Sequence, residues 1–171
     1  MPQQRFSICN ETFAPLGSPD PWSFERICRF LKETGYDGVE LAPFTFAEDI
    51  RDLTPVERAE IRQIAADNGL AICGLHWLLI SPPGLHIHTS DAALRGKTPS
   101  RSASAYRVCS RYWCTHHGAG LSESAHAENG DYESGWHRTA ETLVSLGDSL
   151  KAAGVGAVRI LSCFPINLDN T

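Results

Sequence analysis

Three glycines mark the junction between an amphipathic helix and an apolar strand, and this repeated junction constrains the fold most. Gly35, Gly69 and Gly154 each follow a helical pattern and lead into a run of β-branched and apolar residues. Glycine is favoured there because the residue after a helix often adopts a left-handed conformation. Strands that alternate with helices in this way predict βα units and a parallel sheet.

The predicted strands are short and largely apolar. They are Phe6–Phe13, Gly38–Leu41, Leu70–Trp77 and Val155–Leu161. The run from Leu70 is rich in apolar residues, as expected for a parallel strand that is covered on both faces. The distance from Gly69 to Gly154 leaves room for more than one unit, so we expect another strand between these glycines.

Two of the predicted helices carry N-terminal signals. Asp20 and Pro21 predict an N-cap followed by a proline in the first turn, and Thr54 with Glu57 predicts a capping box. Apolar residues at helical spacing predict the buried face of each helix. These residues are Phe24, Ile27, Cys28 and Leu31, then Ile61, Ile64 and Ala65, and finally Ala140, Leu143, Leu146, Leu150 and Ala153.

Composition excludes several classes of protein. The 171 residues are 42% hydrophobic and carry a net charge of -5, which is typical of a globular protein and gives no electrostatic reason to expect nucleic acid or an anionic membrane as a partner. No apolar run is long enough to span a bilayer, and Met1–Arg5 lacks the apolar core of a signal peptide. We therefore expect a cytoplasmic protein whose six cysteines are reduced.

The chain changes character at about Pro99 and recovers at His137. Residues 99–136 are rich in Ser, Arg, His and Cys and show no clean period of 2 or 3.6 residues. Three interpretations stay open: a functional Cys/His insertion, a flexible loop, or a sequence error. The candidate zinc ligands fit no common ligand spacing, so we expect no zinc site. They are Cys109, Cys114, His116, His117, His126 and His137.

Residues 5–98 resemble the sugar phosphate isomerase/epimerase family, whose fold is the xylose isomerase-like (β/α)8 barrel. The resemblance rests on four segments, and residues 137–155 resemble a later helix of the same family. The segments are 8–11 (Ile-Cys-Asn-Glu), 35–41 (Gly-Tyr-Asp-Gly-Val-Glu-Leu), 53–55 (Leu-Thr-Pro) and 74–77 (Gly-Leu-His-Trp), the last followed by Ser81 and Pro82. Such a barrel needs about 250 residues. The resemblance therefore implies an α/β fold in which residues 1–171 form one incomplete barrel, with about five βα units and a disturbed fourth.

A frameshift would explain the disturbed fourth unit. Family members place a strand and loop of the type Met-Val-Leu-Gly-Ser-Pro-Lys after the third helix, where this chain has His117-Gly118-Ala119-Gly120-Leu121-Ser122-Glu123-Ser124. Codons permitted for these eight residues encode the family segment when they are read one base later. We therefore suspect that residues 99–136 are frameshifted or irregular, a hypothesis that the nucleotide sequence tests directly.

The resemblance also implies where a substrate would bind. Catalytic side chains of (β/α)8 barrels project from the C-terminal ends of strands, and Asn10 with Glu11, Glu40 and His76 lie at or near such ends. We expect substrate-binding residues at Asn10, Glu40, His76 and Trp77. Spacing alone favours another interpretation, in which Glu40 caps a loop and His76 is an interior histidine.

Two further side-chain patterns bear on the site. Phe44 and Trp77 would form apolar walls against which a sugar ring packs. His86 and His88 are alternate residues, so on an extended segment they would share one face. Two imidazoles without further ligands are a weak metal signal, and we expect a solvated loop there.

The reaction implied by the resemblance is proton transfer next to a sugar carbonyl, assisted by Mn²⁺ or Mg²⁺. The family's metal-ligating Glu near the fifth strand has no counterpart in residues 156–162, whose sequence is Gly-Ala-Val-Arg-Ile-Leu-Ser, and a second slip of the frame would account for this. We therefore expect a sugar or sugar phosphate as the ligand, no metal bound by this chain, and little or no activity. The catalytic residues are unknown.

Two alternatives remain for the function. The first is a non-catalytic sugar-binding or interaction fragment. The second is an endonuclease IV-like repair enzyme, which the acidic charge disfavours because binding to a phosphate backbone needs a basic groove. An incomplete barrel also leaves strand edges open, so we expect self-association.

Overall fold

The computed structural model describes residues 5–75, 77, 79–81, 83–112, 116–118, 130–152 and 157–159. Across these ranges, parallel strands alternate with α-helices. The strands are β1 (Ser7–Cys9), β2 (Gly38–Leu41), β3 (Ala71–Leu75), β4 (His116–Gly118) and β5 (Ala157–Arg159). The helices are α1 (Phe24–Glu33), α2 (Pro55–Asp67), α3 (Ala92–Tyr112) and α4 (Tyr132–Ala152).

The strands lie in the sheet in the order β1-β2-β3-β4-β5, and each pairs in parallel with the next. A doubly wound sheet would reverse its strand order, whereas a (β/α)8 barrel adds each strand beside the previous one. The prediction of an incomplete barrel is therefore confirmed. The strand expected between Gly69 and Gly154 is β4, which lies inside the segment that lacks a clean sequence period.

The predicted start of the first helix is wrong. Asp20 and Pro21 lie in the preceding loop, and the N-cap is Ser23, whose side chain accepts the Arg26 N–H. Ser23 lies immediately before the first apolar position of the helix, where its hydroxyl can satisfy a backbone donor. The predicted buried face is confirmed for Ile27, Cys28 and Leu31.

The second helix begins and ends as its sequence predicts. Thr54 Oγ1 accepts the Glu57 N–H at 3.2 Å, and Glu57 Oε2 accepts the Thr54 N–H at 2.7 Å, which completes the capping box. Gly35 and Gly69, which follow α1 and α2, have φ angles of 85° and 70°. Both glycines are therefore left-handed caps that lead into β2 and β3.

Two predicted strands are too long at their C-terminal ends. β1 ends at Cys9 and is followed by a 3₁₀ helix over Asn10–Thr12, and β3 ends at Leu75. The Asn10 side chain accepts the Ala42 N–H, so it joins the ends of the first two strands where the prediction continued β1. These early ends matter because they free the residues that follow for a site.

The main core lies between the sheet and the first two helices. Val39 and Leu41 of β2 are fully buried there, together with Leu31 of α1. Leu146 and Leu150 of α4 join the same cluster, as their spacing predicts, whereas Ala140 is exposed. Ala153 lies outside the described residues.

The unusual segment contains regular structure. α3 passes through Pro99 and ends at Tyr112, β4 follows at His116–Gly118, and α4 begins at Tyr132. Residues 113–115 and 119–129 lie outside the described ranges, as do the side chains of Cys109, His116 and His117. No helix among the described residues has both the length and the apolar character needed to cross a membrane.

Candidate functional site

A cavity of about 330 Å³ opens at the C-terminal ends of the first three strands. This is the edge at which (β/α)8 barrels place their active sites, and the volume is in the range of small-molecule sites. The residues that line the cavity come from the loops after β1, β2 and β3. They are Glu11, Thr12, Pro15, Leu16, Phe44, Trp77 and Ile80.

Asn10 positions the first two of these loops. Its side chain is 1% exposed, Oδ1 accepts the Ala42 N–H at 2.7 Å, and Nδ2 donates to Thr45 Oγ1 at 2.7 Å. The amide therefore joins the 3₁₀ helix that carries Glu11 to the 3₁₀ helix over Pro43–Thr45 that carries Phe44. Asn10 is not among the residues that line the cavity, so the contacts that the structure gives it are internal.

Trp77 has an unusual backbone conformation beside the cavity. Its φ angle is 59°, a left-handed value that costs a non-glycine residue roughly 1 to 3 kcal/mol. The Ile80 N–H donates to the Trp77 carbonyl, so the chain turns directly after β3 and both residues reach the cavity. His76, the predicted substrate contact beside Trp77, lies outside the described residues.

Glu40 lies on β2 next to Cys9 of β1 and Gly74 of β3 in the register of the sheet. Its side chain is half-buried, but Glu40 is not among the residues that line the cavity. Burial raises the pKa of the Cys9 thiol to about 12, and the negative charges of Glu11 and Glu40 also raise it. Both carboxylates therefore act on the same end of β1.

The thiols of this region are protonated at neutral pH. Besides Cys9, burial raises the pKa of Cys28 to about 12 and raises that of Cys73. A thiolate is the reactive form of cysteine, so none of these three side chains is suited to nucleophilic catalysis.

The prediction of a solvated loop at His86 and His88 is wrong. The two rings do lie near each other, with centroids 6.3 Å apart, but His88 is 7% exposed and the adjacent Ile87 is 2% exposed. Leu85 and Ile87 pack with Leu79 in a small buried cluster, and side chains of α4 bind the backbone of the segment. Thr142 Oγ1 donates to the Ile87 carbonyl at 2.7 Å, and Arg138 Nε donates to the His88 carbonyl at 2.5 Å.

The described residues do not form a metal centre of the kind that the resemblance implies. Among them, no group of three or more His, Cys, Asp or Glu side chains is placed to hold an ion. Glu11 and Glu40 provide two carboxylates near the C-terminal ends of β1 and β2, and no third ligand is placed with them among the described residues. We therefore derive no chemical step through a metal ion.

Sequence reasoning found part of this site. Phe44 and Trp77 line one cavity, and Glu11 lies beside them. Thr12 was missed because it lay inside the strand predicted over Phe6–Phe13. Pro15, Leu16 and Ile80 follow the predicted strands and were missed because no motif marks them. The asparagine that follows β1 was a usable signal, since its short polar side chain favours a turn over a continued strand.

Solved structures of sugar epimerases share this fold. A D-psicose 3-epimerase crystallised in the presence of D-fructose superimposes with a TM-score of 0.67 at 16% identity, over 92% of this chain and 52% of that one. A 3-keto-D-glucoside 4-epimerase from E. coli gives 0.61 at 11% identity, over 92% and 56%. An AP endonuclease from Brucella melitensis gives 0.60 at 18% identity, over 92% and 55%.

These similarities show the fold, which is that of xylose isomerase-like (β/α)8 barrels. The chain spans about half the length of the solved structures it matches. The sequence matches no protein-family model and no curated protein.

Proposed function

We propose that this chain belongs to the xylose isomerase-like sugar isomerases and epimerases, and that it provides the part of the barrel that binds the sugar. The observation that supports this most is the cavity formed by the loops after β1, β2 and β3, which has aromatic walls and one carboxylate. Shared fold is the weaker support, because the same fold is found in an endonuclease.

In this proposal the sugar ring packs against Phe44 and Trp77, and its hydroxyl groups donate hydrogen bonds to the Glu11 carboxylate. Aromatic side chains suit the apolar face of a sugar because they offer a large flat surface. Asn10 acts by positioning the loops that carry Glu11 and Phe44. Glu40 and His76 complete the substrate-binding set as predicted from the sequence.

We propose little or no turnover for the 171-residue chain. Epimerisation needs a base to remove a proton next to a carbonyl and an acid to return one. The strand that would carry the family's first metal-ligating Glu is β5, whose sequence is Ala-Val-Arg. In the proposal, Mn²⁺ or Mg²⁺ and the proton-transfer carboxylates belong to a complete barrel, and the segment at 99–136 reflects a shifted frame.

The test measures sugar binding to the full chain and exchange of the sugar's carbon-bound protons in its presence. D-Fructose is titrated by saturation-transfer NMR, and exchange of its carbon-bound protons is followed in D₂O with and without Mn²⁺ or Mg²⁺. We expect binding that falls at least about tenfold in Trp77→Ala, and no exchange above the protein-free rate. Val56→Ala on the exposed face of α2 is the matched control.

Two results would overturn parts of the proposal. Binding that Trp77→Ala leaves unchanged would exclude the cavity as the sugar site. Metal-dependent exchange that disappears in Glu40→Gln or His76→Gln would show that the catalytic groups are present in this chain.

The alternative is a non-catalytic sugar-binding or interaction fragment, and it predicts the same binding with no effect of metal at any step. The endonuclease-like alternative predicts binding to DNA. The net charge of -5 disfavours it, as does the absence of a cationic side chain among the described residues that line the cavity.

Self-association through the strand edges is also part of the proposal. The sheet order places β1 and β5 at its two edges, and Phe6 next to β1 is 57% exposed. Open edges favour pairing with another chain. Sedimentation velocity is expected to show concentration-dependent association, whereas a monomer that melts in one sharp transition would contradict it.

The cytoplasmic location stays a prediction.

A further inference from the structure

We infer that the cavity at the ends of β1, β2 and β3 selects sugars that carry a positively charged amine and discriminates against phosphorylated sugars. The inference rests on the proposed function, since it concerns the ligand of the same site. It follows from the charge and the surface of the residues that line the cavity.

The charge of the cavity wall is negative. Among the described residues that line it, Glu11 is the ionisable one, and the others are Thr, Pro, Leu, Phe, Trp and Ile. The Glu11 carboxylate makes no ion pair with any residue in the described ranges, where the ion pairs join Glu25 to Arg29 and Asp49 to Arg51 and Arg101. Its charge is therefore available to a ligand.

A second carboxylate lies on the neighbouring strand, outside the lining of the cavity. Glu40 lies on the neighbouring strand, and the charges of both Glu11 and Glu40 act on Cys9. Two negative charges attract an ammonium group and repel a phosphate, and among the described residues neither carboxylate forms an ion pair. Proteins commonly bind phosphate through Arg or Lys side chains or through helix N-termini. The described residues that line the cavity include neither Arg nor Lys.

The walls of the cavity favour the same ligand. Trp77 and Phe44 present aromatic surface, and the face of an aromatic ring attracts a cation, with tryptophan the strongest. A carboxylate beside aromatic rings thus offers an ammonium group an ion pair and a cation–π contact together. The hydroxyl groups of the same sugar can still donate to Glu11.

The test uses three ketoses that differ only at carbon 1. D-Fructose carries a hydroxyl group there, 1-amino-1-deoxy-D-fructose an ammonium group, and D-fructose 1-phosphate a phosphate. Each is titrated against the full chain by calorimetry at pH 7 and low ionic strength. We expect the amine to bind about tenfold more tightly than fructose, and the phosphate to bind more weakly than fructose.

Substitution of Glu11 locates the effect. Glu11→Gln should remove most of the advantage of the amine over fructose, because the amide keeps the shape of the side chain without its charge. The measured quantity is the ratio of the two affinities, since Glu11 also accepts hydrogen bonds from fructose. Glu60→Gln, at an exposed position on α2, is the matched control and should change none of the three affinities. Raising the salt concentration should reduce the preference for the amine, since salt screens exposed charges.

The outcomes separate the inference from the proposed function. If fructose binds but the amine binds no more tightly, or if Glu11→Gln keeps the preference, the inference is overturned and the sugar site survives. If all three ketoses fail to bind, both are overturned. Glu11-dependent binding of the amine supports the inference whatever the proton-exchange experiment shows, because that experiment tests turnover and not the choice of ligand.

Discussion

The segment from β1 to β3 and the segment from Leu85 to α4 reach their structures by different means. In the first, local signals set each boundary: a capping box at Thr54 and left-handed glycines at Gly35 and Gly69. In the second, helix α3 continues through Pro99. The segment that contains His86 is held by hydrogen bonds from side chains distant in sequence. Thr98, for example, accepts the His86 N–H and donates to its carbonyl. Local signals are visible in a sequence, whereas such distant contacts are not.

The largest expected effect comes from a substitution that disrupts the packing of the first segment. A Cβ at Gly38 would lie 2.2 Å from Cys73 Sγ and 2.8 Å from the Ala71 carbonyl oxygen. Gly38→Ala should therefore reduce the free energy of unfolding by about 3 kcal/mol, because β2 and β3 must separate. Chemical denaturation measures this.

Two further variants sharpen this result. Gly38→Ala with Cys73→Ala should recover only part of the loss, since the backbone oxygen of Ala71 remains. Gly96→Ala on α3, where a Cβ meets no atom within 4 Å, should be neutral or stabilise by up to about 1 kcal/mol. Equal losses at Gly38 and Gly96 would contradict the packing argument.

The next effect tests the polar contacts of the second segment. Thr98 is fully buried, and Thr98→Val removes the hydroxyl group that satisfies both backbone groups of His86. We expect a loss of about 2 kcal/mol in unfolding free energy, since two backbone groups would lose their partner. Thr139→Val, which removes a hydroxyl that donates to the Gly135 carbonyl within α4, should lose less than about 0.5 kcal/mol. A small effect at Thr98 would mean that apolar contacts hold this segment.

The third effect concerns a contact between the two segments. Asp49, in the loop after β2, accepts hydrogen bonds from Arg51 and from Arg101 of α3. Hydrogen bonds from Arg51 lower the pKa of Asp49 from its ordinary value of 3.8 to about 2, and Arg101 contributes. A lowered pKa means that the folded state binds the proton less readily than the unfolded state.

The contribution of Asp49 is therefore complete above about pH 4 and disappears as the pH falls toward 2. We expect it to be about 1 to 2 kcal/mol, since the arginines are partly exposed. The difference between the wild-type protein and Asp49→Asn in urea denaturation should shrink over that pH range. A difference that does not change with pH would exclude the charged contact.

The smallest effect is at the surface of the first segment. Thr54→Ala removes the side chain that caps α2 and should reduce the unfolding free energy by about 1 kcal/mol. Thr54→Ser, which keeps the hydroxyl group, should stay near the wild-type value. If alanine and serine behave alike in thermal melts, the capping box does not stabilise the helix.

The fold of the first segment followed from its sequence because its signals are local. β2 was predicted at Gly38–Leu41, where the structure has it, and the capping box of α2 was correct in both hydrogen bonds. The start of α1 was wrong because Asp20-Pro21 and Ser23 carry similar capping signals a few residues apart. Only the contact between Ser23 and the Arg26 N–H decides between them.

The site was less predictable than the fold. The parallel direction of the predicted strands placed Glu11, Phe44 and Trp77 near one edge of the sheet. Whether they form a cavity depends on the residue at which each strand ends. Asn10 ends β1 through a contact with Ala42, which is 32 residues away in sequence. The burial of His88 depends in the same way on Arg138, 50 residues away. Contacts of this range have no period or motif that a single sequence could show.

The most direct test of the account is to map where a ketose binds. Backbone amide shifts are recorded by NMR on the full chain as D-fructose is added. The account predicts that the largest shifts fall in residues 10–16, 43–46 and 77–80, the loops that surround the cavity, and that Trp77→Ala abolishes them. Shifts concentrated on α2 or α4, or the same shifts in Trp77→Ala, would contradict the assignment of this cavity as the sugar site.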